Sequence, residues 1–153
     1  KGIVRFTEND NELALVTAHE LGHLAMHHID KQEENALAGG IAGIAVESLL
    51  ASVGVNTGNQ VAQLGQQLGA TANSVAFEQE ADYVGMYFME RAGYSSRGVA
   101  DFWRRFAAEM PKSVGTRTDH PTSPERFIAI ERTHQEIVNK KSHGEQLVPN
   151  FQQ

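Results

Sequence analysis

The stretch HELGHLAMHH, residues 19–28, holds four histidines in ten positions, with a glutamate directly after the first. If the stretch is helical, His19 and His23 lie one turn apart on one face, so both imidazoles can reach a single ion. Glu20 is turned by about 100° from His19. It flanks such an ion instead of ligating it, where a base for a metal-activated water belongs. His27 shares the face of His19 and His23 but stands roughly 12 Å along from His19 at about 1.5 Å per residue. Ligand bonds near 2 Å cannot bridge that gap. His28 points off the face. Both read as polar residues near a helix C-terminus, where a protonated imidazole suits the helix dipole.

His19, Glu20 and His23 form the H-E-x-x-H arrangement used by zinc proteases. A metzincin would continue to a glycine and a third histidine, but Met26 and Ile29 stand at those positions. The third ligand therefore comes from elsewhere. FEQEAD, residues 77–82, offers Glu78, Glu80 and Asp82. Glu78 and Asp82 share a helix face. With Glu78 as ligand, Asp82 is placed to accept the distal N–H of a histidine and fix its tautomer. Glu80 points elsewhere and is the weaker candidate. Two histidines, one glutamate and an open position make an established catalytic zinc geometry, which sets the expected cofactor at one Zn2+ per chain.

The elements that must position these residues are mostly helical. Asn9 with Glu12 has the form of a capping box opening a helix from about residue 10 to 28. A second helix is expected from Ser74 to Ala92, with Asn73 or Ser74 as cap and Gly93 just past its end. A third covers 96–110 and is stopped by Pro111. Ser123-Pro124 opens a last helix running to about Lys140, and the tail from Ser142 reads as irregular. GIVRF, residues 2–6, reads as a short strand. Residues 36–55 are apolar and nearly long enough to span a bilayer, but Glu47 and four glycines interrupt them. A buried, mobile or lid-like helix fits them better than a membrane span. Residues 56–74 read as a polar Gly/Gln-rich loop with at most one short helix.

The chain of 153 residues is the size of one domain, with an ordinary 41% hydrophobic and 21% charged residues. A net charge of −6 and no Lys/Arg run argue against a nucleic-acid surface. Without cysteine there is no disulfide and no thiolate ligand, so any metal rests on histidine and carboxylate. The first residue is Lys1, not Met, which leaves room for an upstream signal peptide or lipid anchor.

NELALVTAHELGH (11–23), FEQEADYVGM (77–86) and DHPTSPERF (119–127) together resemble the M48 metallopeptidases, which include the CAAX prenyl proteases and the HtpX- and Oma-type proteases. The resemblance covers about residues 8–138 and implies a gluzincin-type core, mainly α with a small N-terminal strand element. It implies His19, His23 and Glu78 as zinc ligands, Glu20 as catalytic base and Asp82 behind a ligand histidine. It also carries over His120, as a gating or transition-state-stabilising residue, and Arg126 of the same motif. The His120-Pro121 pair taken alone reads equally well as a turn. The family's strands before the zinc helix are represented only by GIVRF, and no convincing transmembrane span is present. The nearer likeness is thus to soluble members of the bacterial envelope or periplasm.

The expected activity is peptide-bond hydrolysis on a protein or peptide substrate, as one metallopeptidase domain over 1–153. Residues 36–72 offer a lid-like insert or a peripheral membrane contact, and no partner protein is indicated. Two other readings stay open: a client-binding module that does not cut, and a metal-dependent hydrolase of a non-peptide substrate. Proteolysis abolished by a chelator separates the first, and a peptide library the second.

Overall fold

A computed structural model describes residues 5–109 and 123–151. Six helices follow in order: α1 (Asp10–Ala25), α2 (His28–Ser52), α3 (Gln60–Thr71), α4 (Ser74–Arg91), α5 (Ala100–Glu109) and α6 (Pro124–Ser142). Among the described residues there is no strand. Residues 2–4 of the expected strand lie outside them, and Arg5 and Phe6 sit in a short turn. The described chain forms two compact units, one from both ends of the sequence (to Met26 and from Val75), the other from the intervening His27–Ser74.

The first unit contains α1, α4, α5 and α6. Its core is Leu15 and Ala18 of α1, Met86, Tyr87 and Met89 of α4, Phe102 and Trp103 of α5, and Ile130 and Ile137 of α6. Each large side chain so buried stabilises the fold by about 1.5–3 kcal/mol. Caps set the helix starts. The Asn9 side chain accepts the Glu12 N–H at 3.1 Å, and the Glu12 carboxylate accepts the Glu8 N–H at 2.8 Å. The return bond thus lands one residue before the position a capping box uses. The same Glu12 carboxylate receives Arg105 of α5 at 2.6 Å, tying α1 to α5. Ser123 caps α6 with Pro124 in its first turn, and Gly93 takes a left-handed φ of 91° after α4. Asn73, one of the two expected caps of α4, is instead left-handed, at φ 63°. The irregular tail is anchored: Lys140 Nζ donates to the Val148 carbonyl and to Asn150 Oδ1, and the Asn150 N–H donates to the Tyr83 hydroxyl at 2.7 Å.

α1 and α4 meet at backbone distance. A Cβ on Gly22 would stand 2.6 Å from the Ala81 carbonyl, and one on Gly85 would stand 2.8 Å from the Ala18 carbonyl. These paired small residues bring the face carrying His19 and His23 against the face carrying Glu78 and Asp82.

The other unit is a helical hairpin. In 56–74, where a polar loop with one short helix is expected, α3 forms a twelve-residue helix. The cause is tertiary, since Gly65 and Gly69 fit against the α2 backbone at Gly39 and Asn35. α2 starts at His28, earlier than the apolar run suggests, and its large apolar side chains are exposed, which removes the buried alternative among those expected. α1 also stops short of the expected residue 28. His27 takes a left-handed φ of 55° between α1 and α2 and its ring bonds Asp30 at 3.2 Å, while His28 opens α2. Met26 is the C-cap of α1, His27 follows it directly, and His28 belongs to the next helix.

Gly85→Val is expected to force α1 and α4 apart and to destabilise the protein by about 1–3 kcal/mol through overpacking. Urea denaturation followed by circular dichroism measures it.

Candidate metal centre

α1 presents His19 and His23 one turn apart, and α4 presents Glu78 and Asp82 in the same way. Their convergence is tight. His19 Nε2 and His23 Nε2 are 3.1 Å apart. Glu78 places Oε1 3.2 Å from His23 Nε2 and Oε2 3.4 Å from His19 Nε2. Bonds of about 2.05 Å at tetrahedral angles give ligand–ligand edges of about 3.3 Å. The two Nε2 atoms stand close to that edge, each faces one oxygen of the Glu78 carboxylate, and two imidazoles with one carboxylate are a donor set suited to zinc. Among the described residues, this trio is the one group with atoms placed to hold a metal ion. Glu80, the alternative ligand, is not in it, and neither are His27 and His28.

Behind the trio lies a buried ionic network. His19 Nδ1 meets Asp82 Oδ1 at 2.9 Å. With the Nδ1 proton donated to that carboxylate, Nε2 faces Glu78 and His23, which is the tautomer a ligand histidine needs. Arg126, at the start of α6, donates from Nε to Asp82 Oδ2 at 2.8 Å and from Nη2 to Asp82 Oδ1 at 3.0 Å. Its Nη1 lies 2.9 Å from Glu78 Oε2. One guanidinium thus fixes both carboxylates of α4, using the planar fork that suits arginine to this work. Its own position is set by the helix cap, because the Arg126 N–H is the one that Ser123 receives.

Trp103 completes the floor. The Arg126 guanidinium carbon stands 4.5 Å from its ring centre, and the His19 ring packs against it edge-on at 5.6 Å. Trp103 is not among the site residues expected from the sequence. Its signal was present, as the chain's single tryptophan in an amphipathic helix, but that pattern describes any core residue. Glu20 follows His19 on α1 and is exposed. His120 lies outside the described residues.

The electrostatics follow from burial and pairing. Burial alone disfavours a charged His19, but the hydrogen bonds and charges of Asp82 and Glu78 outweigh it and push its pKa from 6.5 to about 9. Burial likewise works against an ionised Asp82, yet the Arg126 charge and the His19 hydrogen bond hold it below the usual carboxylate range. Arg126, disfavoured by burial, is held protonated by Asp82 and Glu78. A His19 pKa raised above its ordinary 6.5 gives stabilisation that is complete below 6.5 and lost as pH climbs through about 9. The thermal midpoint of chelator-treated protein is therefore expected to fall between pH 6.5 and 9. Zinc-loaded protein, in which the ion replaces that proton, is expected to hold its midpoint over the same interval. Scanning calorimetry at several pH values checks both.

The sequence matches Peptidase family M48 over residues 1–134. It is similar to Metalloprotease LoiP of Escherichia coli K12, at 32% identity over 118 residues covering 76% of this chain and 47% of that protein. The Beta-barrel assembly-enhancing protease of Yersinia pestis is 28% identical over 111 residues, 69% of this chain and 23% of its own length. The Mitochondrial metalloendopeptidase OMA1 of Schizosaccharomyces pombe is 27% identical over 135 residues, 86% of this chain and 39% of its own. The chain thus spans about half or less of the length of these curated relatives. No solved structure matches it. With the family's match running through α1 and α4 and into α6, the chain belongs to Peptidase family M48.

Proposed function

We propose that this protein is a zinc-dependent endopeptidase of the gluzincin type, hydrolysing peptide bonds in protein quality control of the cell envelope. The observation that carries the reading is the trio of His19, His23 and Glu78, whose ligand atoms converge closely enough to hold one metal ion, with Glu20 next to His19 on α1. Three protein ligands leave one position for water or substrate, which distinguishes a catalytic site from a closed structural one.

When bound there, zinc supplies Lewis acidity, lowering the pKa of water and polarising the scissile carbonyl. The rest of the chemistry belongs to the chain. Glu20 accepts a proton from the attacking water as its oxygen adds to the carbonyl carbon, then passes that proton to the leaving nitrogen as the C–N bond breaks. Asp82 holds His19 in the tautomer that turns Nε2 toward the site. Arg126 holds Glu78 and Asp82 in place and favours the ionised Asp82. His120, assigned through its family motif, gates the site or stabilises the tetrahedral oxyanion.

An envelope location is supported by the relatives. Two of those matched are a metalloprotease and a protease named for enhancing β-barrel assembly, and such barrels are outer-membrane structures. The substrate is accordingly read as a protein or peptide of that compartment, with a lipid anchor or signal segment upstream of Lys1 as a compatible means of delivery.

Glu20→Gln is expected to retain zinc at one ion per chain while casein cleavage falls by about 100- to 10,000-fold, the usual contribution of a general base. Full cleavage by this variant would remove Glu20 from the role. Asp82→Asn is expected to weaken zinc binding by about 10- to 100-fold, as is usual when the partner of a ligand histidine is lost. Competition with a chromophoric chelator measures that loss.

A further inference from the structure

The hairpin of α2 and α3 is built with its large apolar residues outside and its small ones inside. Gly39 and Gly43 of α2 face Gly65 and Gly69 of α3 so closely that a Cβ on Gly39 would stand 2.1 Å from the Gly65 carbonyl, and one on Gly43 2.6 Å from the Val61 carbonyl. Both helices thus carry a small-xxx-small motif at their contact. Leu37, Ile41 and Ile44 follow one another along a face of α2 away from that contact, and all are exposed. Leu49 and Val53 are 69% and 74% exposed, and Leu64 and Leu68 of α3 are about half exposed. A hairpin stabilised by water would place such side chains between its helices. Helices solvated by lipid do the reverse, meeting through glycine and alanine because hydrocarbon already satisfies the large residues.

Charge decides the occupant of this surface. From Ala36 to Asn73 the sole ionisable residue is Glu47, and its carboxylate is turned to the hairpin's own turn, accepting the Thr57 hydroxyl and the Val61 N–H. An outer surface without charge complements the neutral acyl boundary of a bilayer. It offers nothing to a charged polymer or to an anionic headgroup. The lengths fix the depth. α2 has 25 residues and is apolar enough to cross a membrane, but α3 has twelve, about 18 Å at 1.5 Å per residue. That is short of a hydrocarbon core of about 30 Å. Gln63, Gln66 and Gln67 keep an exposed polar side on α3.

We propose that residues 36–73 of this hairpin contact lipid in the boundary between headgroups and acyl chains, holding the chain at a membrane surface, with the charged start of α2 at Asp30, Lys31, Glu33 and Glu34 outside the contact. The assignment does not depend on hydrolysis. In sequence the hairpin is spliced between the two ligand-bearing helices, so both segments leading to the metal trio are tethered to the bilayer contact.

The test is flotation of the full chain with phosphatidylcholine vesicles, at low and at high salt. The wild type is expected to float with these uncharged vesicles equally at both salt levels. Ile41→Glu with Leu49→Glu is expected to cut the floated fraction at least tenfold while far-ultraviolet dichroism and zinc content stay unchanged. Because both positions are exposed, the substitutions leave the helix contact intact. Flotation that needs anionic lipid or vanishes in salt overturns the proposal. So does a double variant that floats like the wild type but no longer captures a denatured protein, which makes the surface a client-binding one. Loss of a wild-type dimer in the variant, with no flotation of either, assigns the surface to a second copy and equally overturns it.

Discussion

The site depends on one buried guanidinium. Arg126 is 1% exposed, yet it carries a full charge beside Glu78, Asp82 and the His19 that Asp82 holds. Burying charges is expensive unless every one is paired and hydrogen-bonded. Here Asp82 accepts from both sides and Arg126 divides its donors between two carboxylates. Such a cluster has little reason to exist for stability alone, since apolar residues of the same volume stabilise a core as well or better. What it orients is the pair of Nε2 atoms and the Glu78 carboxylate.

That network can close because α1 and α4 touch through backbone at Gly22 and Gly85. Any side chain there would hold the helices apart and lengthen every bond across them. The same device, small residues permitting close approach, recurs between α2 and α3. Its physical meaning differs between the two. In the first unit the approach is surrounded by a core of leucine, methionine and aromatic side chains, whereas in the hairpin the large apolar residues are turned outward.

Local physics made much of the site legible in the amino-acid order. Positions four apart on a helix share a face whatever the fold, so His19 with His23, and Glu78 with Asp82, were pairs before any tertiary contact was known. Caps behaved similarly: Asn9 and Ser123 announce α1 and α6 through side-chain chemistry that acts over three residues. The strand expected at 2–6 had only composition behind it; Arg5 and Phe6 of it lie in a turn, and residues 2–4 lie outside the described residues. Arg126 came from likeness of motif, and nothing local in ERF says that it reaches α4.

The sequence by itself determined the helix faces, their caps and the kinds of ligand available, because these follow from a fixed rise and turn per residue. Only the tertiary structure decided which faces meet. It brought Glu78 and not Glu80 to the two histidines, set Arg126 across both carboxylates and laid the His19 ring on Trp103. It also made a helix of the glycine- and glutamine-rich stretch after α2. The reason is common to all four. Each is a contact between segments distant in sequence or on separate helices, and periodicity along one helix is silent about its neighbour.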